Sequence, residues 1–138
     1  MKRILSVILI VATFLIMSGC GEEKKNMSTI GADITFKSIS MEEGRKIIES
    51  ENDYIILDVR TKEEYDDGHI PGAINVANED ISTSMQSIEQ LPDKKRKILV
   101  YCRSGNRSKQ AAKKLAALGY SNVVEFGGII EWKGDLEK

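Results

Sequence analysis

Two short runs decide most of what this chain can fold into. Tyr54-Ile55-Ile56-Leu57-Asp58-Val59 and Lys97-Ile98-Leu99-Val100-Tyr101 are almost continuously apolar. They lack the alternation of a strand with one wet face, so they predict strands buried on both faces, as in parallel sheets. Each is followed by helix signals. Thr61-Lys62-Glu63-Glu64 is a capping box that opens a short helix to Asp67, where Gly68 breaks it. Arg107 to Leu118 places Ala111, Leu115 and Leu118 on one face and stops at Gly119. The same alternation extends outward. Phe36 to Ile39 is a short strand, and Ser40-Met41-Glu42-Glu43 is a further capping box, opening a helix to about Glu49. Ala73 to Val76 is a strand, Thr83 to Leu91 has helical spacing, and Asn122 to Phe126 is a last strand. Gly127-Gly128 then opens a final short helix holding Trp132. Strands alternating with helices predict an α/β fold, an open parallel β-sheet with helices on both faces.

The 138 residues suit one such domain, expected over 35–138. The segment before it has another character. Met1-Lys2-Arg3 is a short basic start, and an apolar run from Ile4 to Met17 follows. Ser18-Gly19-Cys20 comes next, and then a polar stretch. That order is a secretory signal, with an apolar run shorter than the ~18 residues of a spanning helix. Met17-Ser18-Gly19-Cys20 resembles the bacterial lipobox, departing from it at Met17, where Leu is usual. The resemblance implies cleavage after residue 19 and a diacylglyceryl group on the Cys20 thiol. Residues 20–34 would then be a lipidated flexible tether, and the domain would sit on the outer side of the cell membrane. Cleavage removes two of the 20 basic residues and none of the 21 acidic ones, leaving a formal charge of -3.

Several function classes are excluded. The full chain carries a formal net charge of -1 and 6% aromatic residues, so it has neither a basic footprint nor a stacking platform for nucleic acid. The single histidine, His69, and two cysteines cannot supply a structural zinc site. With Cys20 committed to processing, Cys102 is a lone thiol outside the cytoplasm rather than half of a disulfide.

The chemistry concentrates in Cys102-Arg103-Ser104-Gly105-Asn106-Arg107-Ser108. The cysteine stands at the carboxyl end of a buried strand, and a short loop and a helix N-terminus follow, the place where open α/β sheets bind ligands. Helix N–H groups, a glycine-permitted nest and two arginines all favour a thiolate, the competent nucleophile, and the same nest suits an anion bonded to its sulfur.

At these residues the chain resembles the rhodanese family. Leu57-Asp58-Val59-Arg60 with Glu64-Tyr65, then Gly68-His69-Ile70-Pro71-Gly72-Ala73-Ile74-Asn75, and finally Gly127-Gly128 with Trp132, match further family stretches in the right order. The resemblance covers roughly residues 36–136 and implies a rhodanese-like fold and a ping-pong sulfur transfer without cofactor. The Cys102 thiolate would take the outer sulfur of a small anionic donor such as thiosulfate, and a thiol or cyanide would then remove it. Arg103, Ser104, Gly105, Asn106, Arg107 and Ser108 would form the substrate-binding loop, with Arg107 on the anionic donor and Arg103 at the mouth. Asp58 and Arg60 would be structural supports.

Arg60 is also expected to form an ion pair with Glu64. His69 has two readings, a turn residue bonded to backbone and a base for Cys102; the first is favoured because the loop itself can stabilise a thiolate. Trp132 is read as core packing, and Lys113-Lys114 as a solvated face. Three rival functions use the same features. A cysteine phosphatase follows C-x5-R, which would require arginine where Ser108 stands. A non-catalytic binding module would not need Cys102, and a sulfur carrier would share the loop chemistry.

Overall fold

The computed structural model describes residues 27–29 and 35–138; Cys20 and the expected signal segment lie outside them. The elements in chain order are β1 (Met27–Thr29), β2 (Thr35–Ser38), α1 (Met41–Ser50), β3 (Tyr54–Asp58), α2 (Lys62–Asp67), β4 (Ile74–Asn75), β5 (Lys97–Cys102), α3 (Asn106–Ala117) and β6 (Val123–Gly128). They build one six-stranded sheet in the order β1-β2-β6-β5-β3-β4. All neighbours are parallel except β1 and β2, so the expected parallel α/β sheet carries one antiparallel edge strand. That edge strand falls inside the stretch read as a tether.

Side chains on β5 alternate between two cores. Ile98, Val100 and Cys102 face a core that holds Ala111, Ala112 and Leu115 of α3. Leu99 and Tyr101 face the opposite core, with Met41 and Ile47 of α1 and Tyr65 of α2. Burial on both faces is the physical reason the central strands read as unbroken apolar runs. Both capping boxes form, on Ser40 with Glu43 and on Thr61 with Glu64.

Three expectations are corrected. Thr83 to Leu91 is not a helix but a chain of turns with an isolated bridge between Ile88 and Leu91. Ile88 and Leu91 are both buried, which produced the helical spacing. However, the Tyr120 hydroxyl takes the Ile88 N–H (3.1 Å) and donates to the Leu91 carbonyl (2.8 Å), while Ser82 Oγ captures the Ser84 amide. These local side-chain bonds compete with a helix for the backbone. Second, Gly127-Gly128 ends β6 rather than opening a helix; a 3₁₀ turn, Ile129–Glu131, follows. Trp132, half-buried, packs against the core on the α1 side. Third, Lys114 is half-buried rather than simply solvated: its Nζ donates to the Asn78 carbonyl at 2.7 Å, while Lys113 is exposed.

Candidate functional site

β5 delivers Cys102 to the sheet's carboxyl edge on the α3 side, with the residue 1% exposed. The chain then turns through Arg103 and Ser104 to Gly105, whose φ of +102° lies in the left-handed region that favours glycine. That conformation aims the Gly105 N–H back at the cysteine, to which it donates at 3.0 Å from Sγ. Ser108, in the first turn of α3 and fully buried, places its Oγ 3.5 Å from the same sulfur. Arg103, Ser104 and Asn106 lie on the exposed outer side of the loop. The helix's first N–H groups have no partners within the helix itself.

β6 supplies a floor for this loop. An added Cβ at Gly128 would stand 2.3 Å from the Arg103 carbonyl oxygen and 2.6 Å from Ser104 Cα. Only a glycine leaves room for the loop to lie that close. The Ile130 N–H donates to the same Arg103 carbonyl at 3.3 Å. The glycine pair therefore belongs to the site as its floor.

The expected pair between Arg60 and Glu64 does not form. Arg60 instead bonds Asp58, with NH2 at 2.6 Å from Oδ2, and also reaches the Gly68 carbonyl at 2.7 Å. Asp58, fully buried, accepts the Tyr101 hydroxyl at 2.6 Å as well. Burial first, and then the adjacent Asp58 carboxylate, push the Tyr101 phenol up. Asn75 Nδ2 donates to the carbonyls of Asp58 (3.0 Å) and Arg60 (2.9 Å). This network ties β3, β4, the end of α2 and the residue preceding Cys102 into one block.

Glu64 turns to Arg107 instead. Its two oxygens accept NH1 at 2.7 Å and NH2 at 2.9 Å, a bidentate pair. The hydrogen bond to Arg107 holds the Glu64 carboxyl well below the usual carboxylate range, at about 2, and raises the Arg107 guanidinium. The same carboxylate still accepts the Thr61 N–H of its capping box at 3.0 Å. Arg107, the expected donor-binding residue, thus faces the site already partnered, whereas Arg103 has no ion-pair partner among the described residues.

His69 is engaged in its turn. Nδ1 lies 2.9 Å from the Tyr65 carbonyl, the ring stacks on Tyr65 at 3.8 Å, and its backbone pairs with Glu137. This arrangement fits the turn reading. Sequence reasoning missed Glu125, a carboxylate 1% exposed on β6. The available signal was an acidic residue inside an otherwise apolar strand run, Asn122 to Phe126.

A family model described as "Rhodanese-like domain" matches residues 40–135. The chain is 38% identical over 104 residues to "Adenylyltransferase and sulfurtransferase UBA4" of Candida albicans, covering 72% of this chain and 24% of that protein. It is 33% identical over 101 residues to "Putative sulfurtransferase YtwF" of Bacillus subtilis, covering 73% of this chain and 94% of the relative. The chain therefore spans about a quarter of the yeast relative and nearly all of the bacterial one. Among solved structures, the rhodanese-like domain of an Anabaena protein matches with a TM-score of 0.64 at 30% identity, covering 72% of this chain and 77% of that one.

Proposed function

The chain belongs to the rhodanese-like family, and on that premise we propose that it is a sulfurtransferase that carries a sulfane sulfur from an anionic donor such as thiosulfate to cyanide or a thiol. The carrier is a persulfide on Cys102. The single observation behind this reading is the cysteine sulfur held at the foot of a tight loop by the Gly105 N–H, 3.0 Å away.

In the first half-reaction the Cys102 thiolate attacks the outer sulfur of thiosulfate. A new S–S bond forms, the old one breaks, and sulfite leaves with the bonding pair. The terminal sulfur of the persulfide then lies toward the loop N–H groups, which offset its negative charge without rearranging. In the second half, cyanide or a thiolate attacks that terminal sulfur, and the Cys102 thiolate departs. No step calls for a metal or cofactor.

Bringing a dianion to a thiolate needs positive charge. Arg103, exposed and without an ion-pair partner among the described residues, is the principal donor clamp in this reading, and Arg107, already neutralised by Glu64, is secondary. That neutralisation also favours a second reading, a carrier loaded from a less charged persulfide on a partner. Steady-state transfer from thiosulfate to cyanide tests both. Cys102→Ser abolishes it, and Arg103→Ala lowers kcat/KM by about 10²-fold, as for loss of one charged donor in a preorganised site. An Arg103→Ala enzyme with unchanged kcat/KM for thiosulfate would favour the carrier. We further propose that Cys20 is lipidated, anchoring the domain on the outer side of the cell membrane.

A further inference from the structure

Two carboxylates among the described residues are buried and take no part in the reaction above, Asp58 and Glu125; Asp58 is paired with Arg60, and Glu125 is not paired with any cation. On β6 it pairs in register with Val100 of β5. By strand alternation it falls on the α3 side, beneath the loop, where a side chain is expected to be apolar. Oε1 accepts the Ser108 hydroxyl at 2.7 Å and the Gly127 N–H at 2.9 Å, and Oε2 accepts the Ser38 hydroxyl. Among the described residues no cation forms an ion pair with it. A buried carboxylate without a counter-ion is costly and gains from any route to neutrality.

That route is visible. A serine hydroxyl has one proton and two lone pairs. Ser108 has other acceptors nearby, the Gly105 carbonyl at 3.0 Å and the Gly127 carbonyl at 3.5 Å, but Glu125 is closer and charged. With its proton on Glu125, Ser108 Oγ presents a lone pair to the Cys102 S–H, 3.5 Å away.

We propose that Glu125 takes the Cys102 proton through Ser108, and so acts as a positioning residue and internal proton reservoir for the sulfur chemistry. The thiol proton passes to Ser108 Oγ as the serine proton passes to Glu125 Oε1. One S–H and one O–H bond break, two O–H bonds form, and thiol plus carboxylate becomes thiolate plus carboxylic acid. Proton count and net charge do not change. A donor dianion then meets one negative charge in the site rather than two, and the proton waits on Glu125 until the sulfur has been passed on. His69 is bound to the Tyr65 carbonyl and is not needed. The charged groups nearest the relay are Arg107 from α3, which interacts with Cys102, Glu64 from α2, which pairs with Arg107, and Glu79, which also acts on Arg107; Arg103 lies on the exposed outer side of the loop.

The proposal rests on Cys102 being the reactive thiol, but its test needs no sulfur donor. Alkylation of Cys102 by iodoacetamide, a neutral probe, is followed in the intact protein across pH. In Glu125→Gln the amide cannot accept the proton, and the rate at neutral pH falls about tenfold or more, toward the scale of losing a general base. Raising the pH restores it, because hydroxide does the same work; a merely structural defect would not be rescued. Ser108→Ala, which cuts the relay and keeps the carboxylate, shows the same loss and rescue, and serves if Glu125→Gln fails to fold. Infrared difference spectra should also show a carboxylic acid band when Cys102 is carried as an anion, absent in Glu125→Gln. Wild-type or faster alkylation in either variant overturns the proposal, since Glu125 would then be only a brace or a repelling charge. Failure of thiosulfate turnover with the alkylation pattern intact would instead count against thiosulfate as donor.

Discussion

Replacing Glu64 by Gln separates two consequences of one ion pair. The carboxylate sits near 2 instead of 4.5 because Arg107 donates to both of its oxygens. Taken whole, that shift corresponds to about 3 kcal/mol of folding stability at neutral pH. The two side chains are 27% and 29% exposed, however, so solvent screens the pair and about 1–2 kcal/mol is a better expectation. A carboxyl depressed in the folded state contributes fully above its unfolded pKa and loses that contribution as pH falls through its folded one. The wild-type advantage over Glu64→Gln should therefore be complete above about 4.5 and vanish near 2. Urea unfolding at several pH values reads it directly. The second consequence is kinetic. Glu64→Gln frees one positive charge at the loop, worth about 1 kcal/mol for an anion about 4 Å away even at the dielectric of bulk water, or about fivefold in affinity. The KM for thiosulfate should fall by about that factor, with kcat little changed. Equal stability of the two proteins at every pH would refute the energetic argument. A collapse of kcat/KM would refute the kinetic one, because Glu64 would then be orienting Arg107 rather than neutralising it.

Asp58→Ala strands the Arg60 charge, whose side chain is only 7% exposed, and should cost about 3–5 kcal/mol by urea unfolding. Gly128→Ala pushes its Cβ into the Arg103 carbonyl and displaces the loop, so thiosulfate turnover should fall about 10²-fold while the far-ultraviolet spectrum is retained. Cys20→Ser should move the protein from the membrane fraction to the soluble or unprocessed one, and persistent membrane extraction with normal processing would contradict lipidation.

What could be read from the sequence follows from which interactions are local. The capping boxes on Ser40 and Thr61, the buried strands and the position of Cys102 at the end of one depend on residues within a few places of each other. Partner choice across the fold does not. Glu64 and Arg107 lie 43 residues apart, and their meeting depends on how α2 approaches α3. Arg60 was the nearer candidate in sequence, but the Asp58 carboxylate, two residues from it, accepts its Nε–H and NH2 donors together. The segment from Thr83 to Leu91 misled because burial of Ile88 and Leu91 produces helical spacing, whereas the Tyr120 hydroxyl that holds the turn comes from beyond α3. Glu125 escaped because an acidic residue in a strand ordinarily faces water, and only the register with β5 puts it beneath the loop.

The central claim is that Cys102 carries the sulfur. Mass spectrometry of the protein before and after thiosulfate, under non-reducing conditions, tests it without assuming an acceptor. A gain of one sulfur atom is expected on the peptide that contains Cys102, lost on adding cyanide and absent in Cys102→Ser. An unchanged mass after thiosulfate and after a small-molecule persulfide alike, with the Cys102 thiol still free, would contradict it.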